Sequence, residues 1–185
     1  MARIGKTGRA AATYVVLAAL QRSVSLLILP FVTHVMPPGE YGAASVLTTA
    51  SVLLIAIIAS PITQLVIRAA ARGEKDGPPL LRLAGIYCYL IVPAAVAIVA
   101  AIFALLVPSL LGISGTVWGI EILAIGFQPA ASTFALWVAQ GREDLRRFTW
   151  LSSTSVFAMA ASKMLFVVVL KLGVLGWVIS DLVGA

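Results

Sequence analysis

The stretch IYCYLIVPAAVAIVAAIFALLV (residues 86–107) carries no charged side chain. A helix needs about 20 apolar residues to cross the hydrocarbon core of a bilayer, and this run meets that length. Across the 185 residues, 61% are hydrophobic and 11% are charged, whereas a soluble domain has about 25% charged residues. The chain has too little polar surface to face water, so the sequence predicts an integral membrane protein.

Five segments are long and apolar enough to be predicted as membrane spans, and short connections rich in Gly and Pro separate most of them. The five segments are Ala10 to Met36, Tyr41 to Ile67, Leu80 to Val107, Thr116 to Gln140 and Phe148 to Leu170. A sixth apolar segment runs from Gly173 to Ala185, and its roughly 20 Å of helix is too short to cross. We expect an all-α integral membrane fold, an up-down bundle of five complete transmembrane helices plus a truncated sixth.

The basic residues are distributed unevenly between the connections. Ten of the 13 lysines and arginines lie in residues 3–9, 68–82 and 142–147, which five crossings place on one side of the membrane. Lys171 is the one basic residue expected on the other side. Because cytoplasmic loops are enriched in Lys and Arg, we expect a multi-pass protein of the plasma (inner) membrane with a cytoplasmic amino terminus. Charge confined to such patches argues for contact with membrane lipids and against a nucleic acid partner.

Two cations fall inside predicted spans, where an isolated charge costs several kcal/mol. These are Arg22 in the first span and Lys163 in the fifth. Helical spacing places further polar residues on the same faces, and a similar stripe follows the fourth span. Such stripes line either a polar seam between packed helices or a water-filled cavity, and the buried cations favour the cavity. The predicted substrate-binding residues are Arg22, Lys163, Gln21, Ser25, Gln128, Glu121 and Asp181.

Lys163 and Asp181 are predicted to meet across a helical hairpin. Each lies nine residues from Leu172, so a turn at Leu172 brings both to the same depth. Two interpretations remain open at this point. The two side chains neutralise each other as a buried ion pair, or Lys163 faces an anionic substrate while Asp181 tunes its charge or competes for it.

Several smaller features predict packing rather than chemistry. Gly115 and Gly119 match the spacing of small residues at which membrane helices approach closely, and Cys88 reads as a small buried hydrophobe. The four tryptophans lie near predicted span ends, as an interfacial belt requires; they are Trp118, Trp137, Trp150 and Trp177.

An enzyme acting on polyprenyl phosphates would need paired carboxylates for metal and phosphate chemistry. The acidic residues that lie close together, Glu74 with Asp76 and Glu143 with Asp144, fall in basic loops, where solvation or helix capping explains them. We therefore predict no enzymatic activity, no catalytic residues, no metal site and no cofactor.

Two stretches resemble a known family of membrane proteins. LPFVTHVMPPGEYG (residues 29–42) resembles the first-to-second helix turn of polysaccharide biosynthesis flippases, and QGREDLRRF (residues 140–148) resembles their fourth-to-fifth loop. The family belongs to the multidrug/oligosaccharidyl-lipid/polysaccharide exporter superfamily and has two lobes of about six helices each. The resemblance implies that residues 1–185 form an amino-terminal transmembrane lobe, that the carboxy-terminal lobe is absent from this chain, and that a second lobe or subunit completes the path.

The resemblance also implies a function. The chain would translocate, or flip, lipid-linked oligosaccharide or polysaccharide precursors across the plasma membrane, with Arg22 and Lys163 beside the pyrophosphate of the substrate. Two alternatives stay open. One is a multidrug-type exporter of the same superfamily, and the other is a non-transporting membrane scaffold or fragment.

Overall fold

The structure, a computed structural model, describes residues 12, 15, 16, 19, 23, 26–72 and 77–184. Its described residues form six helices and one short hairpin, numbered here in chain order. The helices are α1 (Leu26–Val35), α2 (Pro38–Ala71), α3 (Gly77–Leu106), α4 (residues 115–141), α5 (Leu145–Val169) and α6 (Gly173–Gly184). The hairpin, β1 (Ser109–Leu110) and β2 (Ile113–Ser114), joins α3 to α4.

From the second predicted span onward, the predicted helix positions agree with the observed helices to within four residues. Small shifts occur where capping groups, rather than apolar residues, set the start of a helix. The α4 helix begins after Ser114, whose hydroxyl accepts the N–H of Val117, and α5 begins after Asp144, whose carboxylate accepts the N–H of Arg147. A polar N-cap of this kind extends a helix beyond its apolar stretch.

The predicted number of spans is not what the described residues show. Three helices are long and apolar enough to cross a membrane, namely α2, α3 and α5, rather than five complete spans plus a truncated sixth. The first predicted span is described as a continuous helix only over Leu26–Val35, and α6 is a shorter apolar helix. The α4 helix, with Glu121 and Gln128 among its apolar residues, is not one of the three. The coarser expectation, a helical membrane protein, agrees with the structure.

Neighbouring helices are joined by short connections and pack side by side. The α4 helix packs along α3 and against α6, while α2 contacts α3, α4 and α6. Small clusters of buried apolar residues fill these contacts, and one of them encloses Cys88 as predicted. Many large apolar side chains instead face outward, including Leu53, Ile57, Ile98 and Leu105. An outward apolar surface of this extent suits contact with lipid.

Glycines allow α3 and α4 to approach closely. A Cβ atom on Gly119 would lie 2.9 Å from the carbonyl oxygen of Ala100 and 3.2 Å from Cβ of Ala104. A Cβ atom on Gly115 would overlap the carbonyl oxygens of Phe103 and Val107. The close contact that the glycine spacing predicted is therefore confirmed, with α3 as the partner helix.

We expect Gly119→Val to destabilise the protein, because the added side chain forces α4 away from α3. Overpacking of this kind costs about 1–3 kcal/mol, and thermal unfolding in detergent micelles measures it as a lower Tm. The matched control is Gly42→Val, because Gly42 also lies within a helix but has no neighbouring atom within 4 Å of an added Cβ. Equal losses in the two variants would contradict the close contact.

Candidate functional site

A groove with a volume of about 890 Å³ runs between the helices. Its apolar wall comes mainly from Leu26, Leu29 and Val32 of α1 and from Val156 and Ala160 of α5. Its polar wall comes from four helices, α2, α4, α5 and α6, and contains Tyr41, Ser45, Thr48, Thr49, Gln128, Ser155, Lys163 and Trp177. The groove therefore offers one cation and several hydrogen-bonding groups opposite an aliphatic surface.

Lys163 and Asp181 form the ion pair that the hairpin arithmetic predicted. The Lys163 Nζ lies 3.1 Å from Asp181 Oδ1, and both side chains are largely buried, at 14% and 16% exposure. The turn at residues 170–172 reverses the chain and brings α6 against α5. The predicted pairing is confirmed, and it gives the buried ammonium group a counter-charge.

Trp177 holds the same lysine from a second side. The Lys163 Nζ lies 3.7 Å from the centroid of the indole ring, a cation–π contact. The indole Nε1 donates a hydrogen bond to Thr48 Oγ1 at 3.1 Å, and the Thr48 hydroxyl in turn donates to the carbonyl oxygen of Ala44 at 2.9 Å. These contacts tie α5 to α6 and α6 to α2 around one ammonium group.

Trp177 and Thr48 are site residues that the sequence analysis missed. Trp177 was assigned to an interfacial belt because of its position near a span end, yet it lines the groove. A usable signal was present, since Trp177 precedes Asp181 by four residues and shares its helix face. The prediction of an interfacial belt is also wrong for Trp118 and Trp137, which are buried. Trp150, in contrast, is 72% exposed.

Glu121 lies inside the protein rather than on the groove. Its side chain is 2% exposed, and its Oε1 is hydrogen-bonded to the hydroxyl of Ser51 on α2. The Ser51 hydroxyl also donates to the carbonyl oxygen of Leu47 at 2.8 Å. The second oxygen of Glu121, Oε2, has no hydrogen-bond partner among the described residues. Glu121 is close enough to experience the charges of Lys163 and Asp181, so the three form one electrostatic cluster.

The predicted polar stripes divide between the groove and the protein interior. On α4, Gln128 lines the groove while Glu121 does not. On α5, Ser155 and Lys163 line the groove, whereas Ser152 and Ser162 are buried. The structure thus brings together Lys163, Asp181 and Gln128 of the predicted set.

Three of the predicted substrate-binding residues, Gln21, Arg22 and Ser25, lie outside the described residues. The role assigned to Arg22 beside a pyrophosphate therefore stays a prediction. Lys163 satisfies one part of the expectation and departs from another, because it borders an opening between helices but is also paired with a carboxylate of its own chain.

The described side chains of the groove can bind a polar group. One paired ammonium group, several hydroxyls and an amide can hold a polar headgroup by charge and hydrogen bonds. Across residues 26–72 and 77–184, no group of three His, Cys, Asp or Glu residues could hold a metal ion. No protein-family model, no curated protein and no solved structure matches this chain.

Neutralising one partner of the ion pair should cost more than neutralising both. Lys163→Met leaves the Asp181 carboxylate buried without its partner, and we expect a loss of about 3 kcal/mol in the free energy of unfolding. The double variant Lys163→Met with Asp181→Leu removes both charges, so it should regain most of that loss. Unfolding in mixed micelles measures the free energy of unfolding of the wild type, of Lys163→Met and of the double variant. A double variant no more stable than Lys163→Met would show that the two side chains are not energetically coupled.

Proposed function

We propose that this chain is part of a membrane transporter that moves phosphate-bearing lipid-linked saccharides across the plasma membrane. The observation that carries the proposal is the position of Lys163 on the polar wall of an open groove between the helices. The opening leaves the Lys163 side chain accessible to a ligand in the groove. An ammonium group that borders a groove can exchange its carboxylate partner for a phosphate.

The two walls of the groove match the two halves of such a substrate. Leu26, Leu29 and Val32 supply an aliphatic surface against which a polyprenyl chain can pack. Ser155 and Gln128 lie on the polar side with Lys163 and offer hydrogen bonds to phosphate or sugar oxygens. The groove can therefore contact both the apolar and the polar part of an amphipathic molecule.

Asp181 determines which ligands can bind Lys163, because a ligand must displace its carboxylate. Because its carboxylate already neutralises Lys163, a phosphate must compete with it for the ammonium group. A pyrophosphate carries more negative charge and more acceptor oxygens than a carboxylate, so it is favoured in that competition. A neutral sugar without the phosphate gains no such contact, and the site would then select phosphorylated lipids over free saccharides.

Farnesyl pyrophosphate is a suitable probe, and we expect two substitutions to change its affinity in opposite directions. Asp181→Asn removes the competing carboxylate and should tighten binding, whereas adding Lys163→Met to that variant should weaken it about tenfold. Equilibrium binding to the purified chain in detergent measures both. Lys171→Met is the control, because Lys171 carries the same charge but does not line the groove. Unchanged affinity in the Lys163 variant would overturn the phosphate assignment.

A multidrug-type exporter of small cations is the second candidate. The observation that favours it is the composition of the buried cluster, in which two carboxyl groups, those of Glu121 and Asp181, accompany one ammonium group at Lys163. In the same assay, saturable binding of tetraphenylphosphonium that strengthens when Lys163 is neutralised would favour the exporter. If neither farnesyl pyrophosphate nor tetraphenylphosphonium shows saturable binding, the result would favour a non-transporting scaffold.

The topology that accompanies this function is also a proposal. We propose that α4 and the first helix cross the membrane in addition to α2, α3 and α5, with α6 as an incomplete sixth helix and the amino terminus in the cytoplasm. The basic residues in 3–9, 68–82 and 142–147 support this orientation. A carboxy-terminal lobe or a second subunit would then complete the path.

Cysteine labelling in intact cells tests this topology. In a Cys88→Ala background, Arg142→Cys should be protected from a membrane-impermeant maleimide added outside, and Lys171→Cys should be labelled. Both residues are exposed, so the difference reports the side of the membrane. Labelling of both positions, or of Arg142→Cys alone, would show that the proposed orientation is wrong.

A further inference from the structure

A second depression in the surface, about 1020 Å³ in volume, lies at the start of α5. Arg146, Arg147 and Trp150 line it together with the hydroxyl-bearing residues Thr149 and Ser153. It shares no described lining residue with the groove, whose lining on α5 begins at Ser155 and extends to Lys163.

The described residues of this depression carry more positive than negative charge, because Arg146 and Arg147 stand against one carboxylate, Asp144. Neither Arg146 nor Arg147 forms an ion pair with a described carboxylate. Asp144, the acidic residue at the depression, accepts the backbone N–H of Arg147 at 3.0 Å and so serves as the N-cap of α5. Glu143 is exposed in the same loop but does not line the depression. Two guanidinium groups in the first turn also add to the positive end of the helix dipole, where cations are disfavoured.

The exposure of Trp150 indicates what environment surrounds Arg146 and Arg147. It is 72% exposed, whereas Trp118 and Trp137 are buried and Trp177 lines the groove. An indole exposed one helical turn beyond Arg147 has the position of an interfacial tryptophan, with its ring at the level of the lipid headgroups. The arginines beside it then lie at the depth of the lipid phosphates.

We propose that this depression binds the headgroup of an anionic glycerophospholipid. The guanidinium groups of Arg146 and Arg147 hold the phosphate, for which their planar donors are well matched. Thr149 and Ser153 are placed to hydrogen-bond the glycerol region, and Trp150 packs against the upper part of an acyl chain. The inference requires only that α5 lies in a membrane, so it does not depend on the proposed transport function.

The test uses the full chain in nanodiscs that contain either phosphatidylglycerol or phosphatidylcholine with brominated acyl chains, which quench nearby indoles. The signal of Trp150 is the difference in fluorescence between the wild type and Trp150→Phe. We expect stronger quenching by the brominated phosphatidylglycerol at equal mole fraction. Each of Arg146→Gln and Arg147→Gln should lower this preference about fivefold, as expected for one basic residue at an anionic surface.

Arg68→Gln is the matched control, since Arg68 is an exposed arginine near the end of α2 that does not line the depression. It should keep the wild-type preference. Equal quenching of Trp150 by the two lipids in the wild type would overturn the proposal. So would a preference that survives in the variant with both Arg146→Gln and Arg147→Gln, because the attraction would then come from the general positive charge of the protein.

Discussion

An ammonium group within the membrane-embedded part of a protein needs a counter-charge, and Asp181 supplies it to Lys163 at 3.1 Å. The pair fixes how α6 lies against α5, and Trp177 extends the same arrangement to α2 through its hydrogen bond to Thr48. Three helices therefore meet at one charge. Any ligand that takes Lys163 from Asp181 exposes an unpaired carboxylate, so binding at the groove and the packing of α6 are energetically linked.

Helix positions and the ion pair could be predicted because both depend on regular local geometry. Apolar run length fixes where a helix lies, and equal spacing of Lys163 and Asp181 from Leu172 fixes their depth. The pairing was predicted correctly even though a six-residue π-helical segment, Met164–Val169, lies between Lys163 and the turn. Wider helical turns of this kind have no sequence signature as clear as that of Pro or Gly, so the exact directions of the side chains after Lys163 could not be predicted.

The stripe on α4 shows where helical periodicity stops being informative. Glu121 and Gln128 are seven residues apart and share a face, yet Glu121 is bonded to Ser51 inside the protein while Gln128 lines the groove. The two positions are about 10 Å apart along the helix axis, far enough for the neighbouring element to differ. Periodicity predicts which residues share a face, but not what lies opposite each of them. The misassigned tryptophans have the same cause, since a position near a span end does not specify whether the ring points inward or outward.

The two cationic places on α5 differ because their surroundings differ. Arg147 and Lys163 are 16 residues apart, which corresponds to about 24 Å of helix and most of the thickness of the hydrocarbon core. At the start of the helix, water and lipid phosphates can compensate Arg146 and Arg147, so the protein places no ion-pairing carboxylate there among its described residues. Towards the other end of α5, Lys163 is largely buried, and the protein provides Asp181 and the ring of Trp177 itself. Among the described residues, an internal counter-charge is therefore found where the basic side chain is buried, at Lys163, and not where the side chains are exposed, at Arg146 and Arg147.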